Sequence, residues 1–156
     1  MKVIIFDVDG VLTDGKFTYT VDGKISKRFG PDDSDALSLI ENYIDIQFIS
    51  GDHRGFEISK ARIVTDMGRS LELVSTTKRI EWIADRWCPE EVIYMGDGIF
   101  DSLVFDKVGY SIAPNNADSN LKKKADYVTE RAGGDRAVAE ACLHILEIFF
   151  EPYVQN

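Results

Sequence analysis

Short apolar runs alternate with helical patterns along this chain, and that alternation limits the folds it can adopt. The run at 3–6 is continuous and rich in β-branched residues, as in a strand that is covered on both faces. Further runs of the same kind fall at 44–49, 71–74, 92–95, 110–113 and 127–129. The alternation predicts an α/β fold, a three-layer α/β/α Rossmann-like arrangement with a central parallel sheet and helices on both faces.

The segments between these runs have the periodicity of helices or the signature of a hairpin. Helices are predicted at 34–43, 54–67, 78–87, 100–107, 120–124 and 136–150. The alternating stretch 16–29 surrounds an Asp22-Gly23 pair, which predicts a protruding β-hairpin. We therefore expect a single domain over 1–150, and the residues 151–156 as a loose tail or an arm that reaches a neighbour.

Composition excludes several classes of function. The chain has 156 residues and a net charge of −9, which fits one acidic globular domain and disfavours binding to nucleic acid or an anionic membrane. It contains no apolar run of membrane-spanning length and no signal-peptide pattern, so a cytoplasmic location is expected. Cys88 and Cys142 are far apart and are predicted to be reduced, buried thiols.

Polar side chains that could bind a cation or a phosphate follow the ends of predicted strands or open a helix. They are Asp7, Asp9, Ser50, Lys78, Asp97 and Asp101. Because ligands bind at the carboxyl ends of the strands in such sheets, these side chains are expected to converge on one edge. Several carboxylates at short range repel one another, so a cation, a proton or a reaction must offset that cost.

Each of these residues also has a structural explanation when it is taken alone. An Asp after a strand is usually a turn or N-cap residue, and Asp14 and Asp22, each before Gly, are interpreted in that way. Lys78 alone would be a solvated surface charge. His144 lies within the last helix and is expected to be structural, whereas a place for His53 at the cleft stays open.

Taken together, the motifs resemble the four-part signature of the haloacid dehalogenase superfamily. The pattern DxDGxxT is followed by a strand ending in Ser-Gly, then a Lys, then GDxxxD. The residues that carry the resemblance are Asp7, Asp9, Gly10, Thr13, Ser50, Lys78, Asp97 and Asp101.

The resemblance implies a phosphatase that uses Mg²⁺ as its cofactor. Asp7, Asp97 and the backbone carbonyl of Asp9 would hold the ion, with Asp101 as a ligand or beside the ligands. Asp7 would attack phosphorus and form an aspartyl phosphate. Asp9 would protonate the leaving oxygen and later accept a proton from the hydrolytic water.

The same resemblance assigns the groups that bind the phosphoryl oxygens. Ser50 and the backbone N–H groups around Gly51 would surround them at a helix start. Lys78 would neutralise the charge that spreads over these oxygens in the transition state.

The motif spacing leaves no room for a cap domain. Only the hairpin lies between the first motif and the first helix, and the segment between Ser50 and Lys78 holds little more than a helix and a strand. The stretches at 6–15 and 127–138 are similar to the KDO 8-phosphate phosphatase family. This similarity implies a small phosphorylated substrate, a sugar or sugar-acid phosphate, and a homotetramer in which each subunit closes its neighbour's site. The alternatives are a non-catalytic oligomerisation or regulatory module and a phosphatase acting on a macromolecule.

Three positions depart from the pattern of that family. Asp32, Asp52 and Glu130 stand where the family usually has Arg, although Arg54 and Arg131 are close. Arginine is the natural partner of a substrate carboxylate. The departures predict that the substrate differs from a ketoaldonic acid and is a neutral or amino-bearing sugar phosphate.

Overall fold

The computed structural model describes residues 1–150, so the expected tail at 151–156 lies outside the described residues. A six-stranded parallel sheet forms the centre, in the spatial order β5-β4-β1-β6-β7-β8. Its strands are β1 Val3–Asp7, β4 Asp45–Ser50, β5 Glu72–Leu73, β6 Val92–Met95, β7 Tyr110–Ala113 and β8 Tyr127–Val128. The strands that follow β1 extend first to one side of it and then to the other, and in sheets of this kind ligands bind at the carboxyl end of the strand where the order reverses.

Helices cover both faces of the sheet, as the alternating pattern predicted. They are α1 Asp33–Ile40, α2 Phe56–Lys60, α3 Arg79–Ala84, α4 Asp101–Phe105, α5 Ser119–Lys124 and α6 Ala137–Phe149. The predicted helix at 54–67 is in fact two segments, because α2 continues as a π-helix over Ala61–Asp66. Most of the other helices are shorter than predicted by a few residues at their ends, where helix termini commonly fray.

Two apolar cores lie on opposite faces of the sheet. Because neighbouring residues of a strand point to opposite faces, Ile4 and Phe6 of β1 join the core under α1 and α6. Val3 and Ile5 join the core under α3, α4 and α5. All four side chains are fully buried, which explains why β1 is a continuous apolar run rather than an alternating one.

A two-stranded antiparallel sheet projects from the domain between β1 and α1. It consists of β2 Thr13–Thr20 and β3 Gly23–Phe29, which agrees with the predicted hairpin at 16–29. Within the described residues, no further domain is inserted between the strands of the main sheet.

The two cysteines differ in their exposure to solvent. Cys142 is buried, but Cys88 is exposed beside Glu90, so the prediction that both thiols are buried is wrong for Cys88. Cys88 follows the exposed end of α3 and therefore lies outside both cores. Among residues 1–150, no helix has the length and apolar character needed to cross a membrane.

Candidate active site

The loop after β1 is folded tightly at the carboxyl edge of the sheet. The carbonyl of Val8 accepts hydrogen bonds from the backbone N–H groups of Val11, Leu12 and Thr13. Gly10 has a φ of +84°, and a Cβ there would lie 1.9 Å from Oδ2 of Asp97. Only glycine can therefore occupy this position without displacing the Asp97 carboxylate.

Two side chains hold this loop in place. Thr13 Oγ1 accepts hydrogen bonds from the N–H groups of Gly10 and Gly15 at 3.0 and 3.1 Å. Asn116 donates to the Gly10 carbonyl at 2.9 Å and accepts from the N–H of Gly133 at 2.7 Å. Thr13 belongs to the sequence motif, whereas Asn116 lies far from it in the chain and was not identified from the sequence.

Three predicted site residues form one carboxylate cluster. Asp7, Asp97 and Asp101 can each place one oxygen within 4.8 Å of the others. The register of the sheet explains this convergence, because Phe6 pairs with both Phe48 and Met95 and the polar residues follow just beyond. Asp7 and Asp101 are buried, and Asp97 is partly buried.

A buried arginine supplies the positive charge of this cluster. Arg79 is 2% exposed, and its Nη2 donates to Oδ1 of Asp7 at 2.9 Å. Its Nη1 donates to Oδ1 of Asp101 at 2.8 Å and to the hydroxyl of Tyr94 at 2.7 Å. Neither Arg79 nor Tyr94 was identified as a site residue from the sequence.

The Asp101 carboxylate is saturated with hydrogen bonds. Oδ1 accepts from Arg79 and from the Tyr94 hydroxyl, and Oδ2 accepts from the backbone N–H groups of Asp97 and Gly98. A carboxylate oxygen accepts about two such bonds. Asp101 therefore orients the loop that carries Asp97, and of the two roles left open for it, a place beside the ligands fits better than direct ligation.

Burial and mutual repulsion perturb the titration of the cluster. Burial raises the pKa of Asp7 to about 6, against the lowering effect of Arg79. Burial, with the negative charges of Asp7 and Asp101, raises the pKa of Asp97 to about 8. Burial lowers the pKa of Arg79, but its anionic neighbours outweigh that effect and raise it overall. One arginine does not compensate three ionised carboxylates, so the cluster favours either a further cation or a bound proton.

The expected phosphate-binding segment follows β4 at the same edge. Asp7 pairs in register with Ile49, so Ser50 lies one residue beyond the level of Asp7. Ser50 is fully buried, and its Oγ accepts the N–H of Asp52 at 3.1 Å and lies 3.4 Å from Oδ2 of Asp9. Gly51 follows and is exposed.

Lys78 is not part of the cluster. It is exposed, and its Nζ contacts both carboxylate oxygens of Glu81 at 3.0 Å. In the structure the Lys78 side chain pairs with Glu81, and Arg79 is the cation that contacts Asp7. The physical reason is helical spacing, because Arg79 shares the buried face of α3 with Ile83, four residues on.

Two of the three acidic positions that depart from the related family are paired within the chain. Oδ2 of Asp52 accepts from Lys24 and Lys27 of the hairpin at 2.7 and 2.9 Å, and burial is outweighed by these bonds, so the pKa of Asp52 falls to about 2. Asp32 contacts Arg136 at 2.6 Å. Glu130 is exposed.

The two histidines have different surroundings. His144 stacks on Tyr127 and shares a hydrogen bond of 2.8 Å with the hydroxyl of Tyr110, which fits the expected structural role. His53 is exposed beside the Ser50-Gly51 segment.

Comparison with known proteins identifies the family. Residues 41–141 match the family model of the haloacid dehalogenase-like hydrolases, a range that does not include the Asp7–Asp9 segment. A 3-deoxy-D-manno-octulosonate 8-phosphate phosphatase of Escherichia coli K12 is 34% identical over 154 residues, covering 91% of this chain and 77% of the relative.

Solved structures give the same result. The cobalt-bound phosphatase for this substrate from Haemophilus influenzae is 30% identical, with a TM-score of 0.81 over 94% of this chain and 88% of that one. The Moraxella catarrhalis phosphatase, in complex with magnesium, phosphate and KDO, is 26% identical, with a TM-score of 0.81 over 94% and 86% of the two chains. The chain therefore belongs to the haloacid dehalogenase-like hydrolases, as a phosphatase of their capless branch that resembles the KDO 8-phosphate phosphatases.

Proposed function

We propose that this phosphatase is a Mg²⁺-dependent phosphomonoesterase that acts on a small sugar or sugar-acid phosphate through an aspartyl-phosphate intermediate. The observation that carries the proposal is the placement of Asp7. Its carboxylate lies beside Arg79 and within the cluster formed with Asp97 and Asp101. Such a group can approach an anionic ester only where cations reduce the repulsion.

The residues present fit a divalent cation. The donor set consists of carboxylate oxygens, which hard cations prefer, and Asp7 and Asp97 would hold the ion together with the backbone carbonyl of Asp9. Burial raises the pKa of Asp97 most, and the negative charges of Asp7 and Asp101 raise it further, so a cation at this carboxylate would relieve an unfavourable charge. When bound, the ion would polarise the phosphoryl group and neutralise its oxygens.

The proposed chemistry needs one nucleophile and one acid–base group. Asp7 forms a bond to phosphorus while the ester oxygen leaves, and Asp9 gives its proton to that oxygen. Water then attacks phosphorus, Asp9 takes the proton of that water, and the Asp7–phosphorus bond breaks to release inorganic phosphate. Arg79 and the N–H of Val8 both donate to Oδ1 of Asp7, and these two bonds fix the orientation of the carboxylate.

The remaining groups would bind the phosphoryl oxygens. Ser50 and the N–H groups around Gly51 are proposed to donate hydrogen bonds to them. Arg79 replaces Lys78 in the proposal as the cation next to the nucleophile, because Lys78 is turned toward Glu81.

The substrate class is inferred from the relatives and from the charge balance near the site. The relatives are named for a sugar-acid phosphate. Asp52 and Asp32 are paired with cations of their own chain, which lowers the repulsion that they were expected to exert on a substrate carboxylate. This favours a sugar-acid phosphate, with a neutral or amino-bearing sugar phosphate as the second candidate.

The apolar residues exposed on the hairpin support self-association. Val21 is fully exposed, and Tyr19 and Ile25 are more than half exposed. We propose a homo-oligomer, a tetramer by analogy with the related family, whose contacts would involve this hairpin. Light scattering of the purified protein tests this part, and a monomer at micromolar concentration would argue for a macromolecular substrate at an open site.

A substrate panel tests the function. With Mg²⁺ present, 3-deoxy-D-manno-octulosonate 8-phosphate should be hydrolysed with a higher kcat/KM than glucose 6-phosphate, glucosamine 6-phosphate, a nucleotide and a phosphopeptide. Asp7→Asn should abolish turnover and retain the melting temperature. Inactivity on the whole panel would support a non-catalytic module, and a preference for the neutral or amino sugars would support the second candidate.

A further inference from the structure

A lysine of the hairpin contacts the proposed acid–base residue of its own chain. The side chain of Lys27, on β3, is 0% exposed, and its Nζ lies 2.9 and 3.0 Å from the two carboxylate oxygens of Asp9. The same ammonium donates to Ser59 Oγ at 2.7 Å and lies 2.9 Å from Oδ2 of Asp52. Lysine is rarely buried unless it is paired, and here three side chains share its three donors.

A β-bulge in the hairpin determines the face on which Lys27 lies. Phe17 pairs with Lys27 and Tyr19 pairs with Lys24, so a separation of two residues on β2 corresponds to three on β3. The extra residue is a bulge, which brings Lys24 and Lys27 to the same face of the hairpin. Without it, alternation along β3 would direct the two lysines to opposite faces.

The neighbours of Lys27 fix its position. Asp52 binds both lysines and also accepts the N–H of Gly55 at 3.1 Å. The ring of Phe17 covers the lysines, with the ammonium of Lys24 at 3.5 Å from its centroid and that of Lys27 at 5.7 Å. Coulombic attraction is strongest where water is excluded. The ion pair between Lys27 and Asp9 is therefore stronger than an ion pair on the exposed surface.

Among the polar contacts of the Asp9 carboxylate within the described residues, those with the Lys27 ammonium are the shortest. Ser50 Oγ is farther away, at 3.4 Å. We propose that Lys27 is a positioning residue, held by Asp52 and Ser59, which keeps Asp9 in the geometry needed to protonate the leaving oxygen. The inference rests on the acid–base role of Asp9 in the proposed function, and it adds a residue outside the family motifs.

Dependence on the leaving group separates positioning of Asp9 from a general structural role. A phenolate that is stabilised by a nitro group leaves without a proton, whereas an alkoxide needs one from Asp9. 4-Nitrophenyl phosphate and 4-nitrobenzyl phosphate differ by one methylene and provide the two cases. A displaced Asp9 therefore slows hydrolysis of the second ester far more than that of the first.

The test compares Lys27→Met with Lys24→Met in the full chain with Mg²⁺. Lys24 shares Asp52 and the Phe17 ring but is not in contact with Asp9, so it is the matched control. Lys27→Met should lower kcat/KM by about 30- to 100-fold for the nitrobenzyl ester and by less than about threefold for the nitrophenyl ester. Lys24→Met should change both esters to the same extent, within about threefold.

Equal losses on the two esters in Lys27→Met, or no loss on either, would overturn the inference while leaving the proposed function intact. If Lys27→Met does not fold, Lys27→Gln decides, because its uncharged amide can still donate hydrogen bonds to Asp9 and should give a smaller loss with the same selectivity. If the wild-type protein hydrolyses neither ester nor any member of the substrate panel, the proposed function fails and this inference fails with it.

Discussion

Arg79 donates a hydrogen bond to Asp7 at 2.9 Å, although the two residues are 72 positions apart in the chain. The residue just before it, Lys78, is bound to Glu81 on the outer side of α3. A shift of one position along a helix rotates a side chain by about 100°, and this rotation decides which cation reaches Asp7, the proposed nucleophile.

Substitution of each cation tests this assignment. Arg79→Lys should retain the fold and lower kcat by at least about tenfold, because an ammonium cannot bridge Asp7, Asp101 and Tyr94 as the guanidinium does. Lys78→Met should leave kcat within about twofold, since exposed ion pairs contribute little. Steady-state kinetics with 4-nitrophenyl phosphate provides the measurement, and a larger loss in Lys78→Met than in Arg79→Lys would return the role to Lys78.

Asp97→Asn is expected to raise the melting temperature without Mg²⁺ and to abolish the further rise that Mg²⁺ gives the wild type. Without Mg²⁺ the variant should melt at a higher temperature than the wild type, because it removes a carboxylate whose pKa is raised by burial and by Asp7 and Asp101. The upward shift in melting temperature that Mg²⁺ gives the wild type should be lost. Asp106→Asn, at an exposed position paired with Lys124, is the control and should keep that shift.

Gly10→Ala should disrupt the site more than the fold. A Cβ at Gly10 would collide with the Asp97 carboxylate, whereas at Gly68, where φ is +69°, nothing lies within 4 Å. Both variants carry the cost of an Ala at positive φ, roughly 1 kcal/mol of unfolding free energy. Only Gly10→Ala should lose the Mg²⁺-induced thermal shift and the phosphatase activity. Similar behaviour of the two variants would exclude the steric explanation.

Asp33 provides a pH-dependent test of stability. Burial raises its pKa from 3.8 to about 6, and its Oδ1 accepts the N–H of Ala139 at the start of α6. Because the folded pKa is raised, the stabilisation from proton binding is complete below about pH 4 and is lost as the pH rises through 6.

Asp33→Asn removes that titration. For each protein, the unfolding free energy above pH 7 is compared with its own value at pH 4. This change should be more favourable in Asp33→Asn than in the wild type by up to about 3 kcal/mol. Denaturant unfolding from pH 4 to 8 measures the difference. Asp35→Asn, at an exposed position of the same helix, should follow the wild type, and parallel curves for Asp33→Asn and wild type would contradict the assignment.

The strands and the carboxylate motifs were predictable because their signals are local. A continuous apolar run that ends in Asp-x-Asp-Gly identifies both a buried strand and the residue that follows it, as for β1 and Asp7. The contacts of Asn116, Tyr94 and Lys27 were not predictable, since each depends on a register or a packing angle between distant segments. The signal that could have identified Arg79 is its spacing of four residues from Ile83, which places it on the buried face of α3.

The significance of the acidic departures also required three-dimensional information. From the sequence alone, the acidic residue Asp52 argues against a substrate carboxylate, but its partners are Lys24 and Lys27, 28 and 25 residues earlier in the chain. The bulge that brings both lysines to one face leaves no clear trace in the hydrophobic pattern of the hairpin.

The central place of β1 has a consequence for how the protein is made. β1 is synthesised first, yet it hydrogen-bonds to β4 on one side and to β6 on the other. The sheet around β1 cannot be completed until residues 92–95 have left the ribosome, so Val3–Asp7 stays without one of its two neighbouring strands until then. A chaperone that shields this apolar segment during translation would therefore raise the yield of native protein.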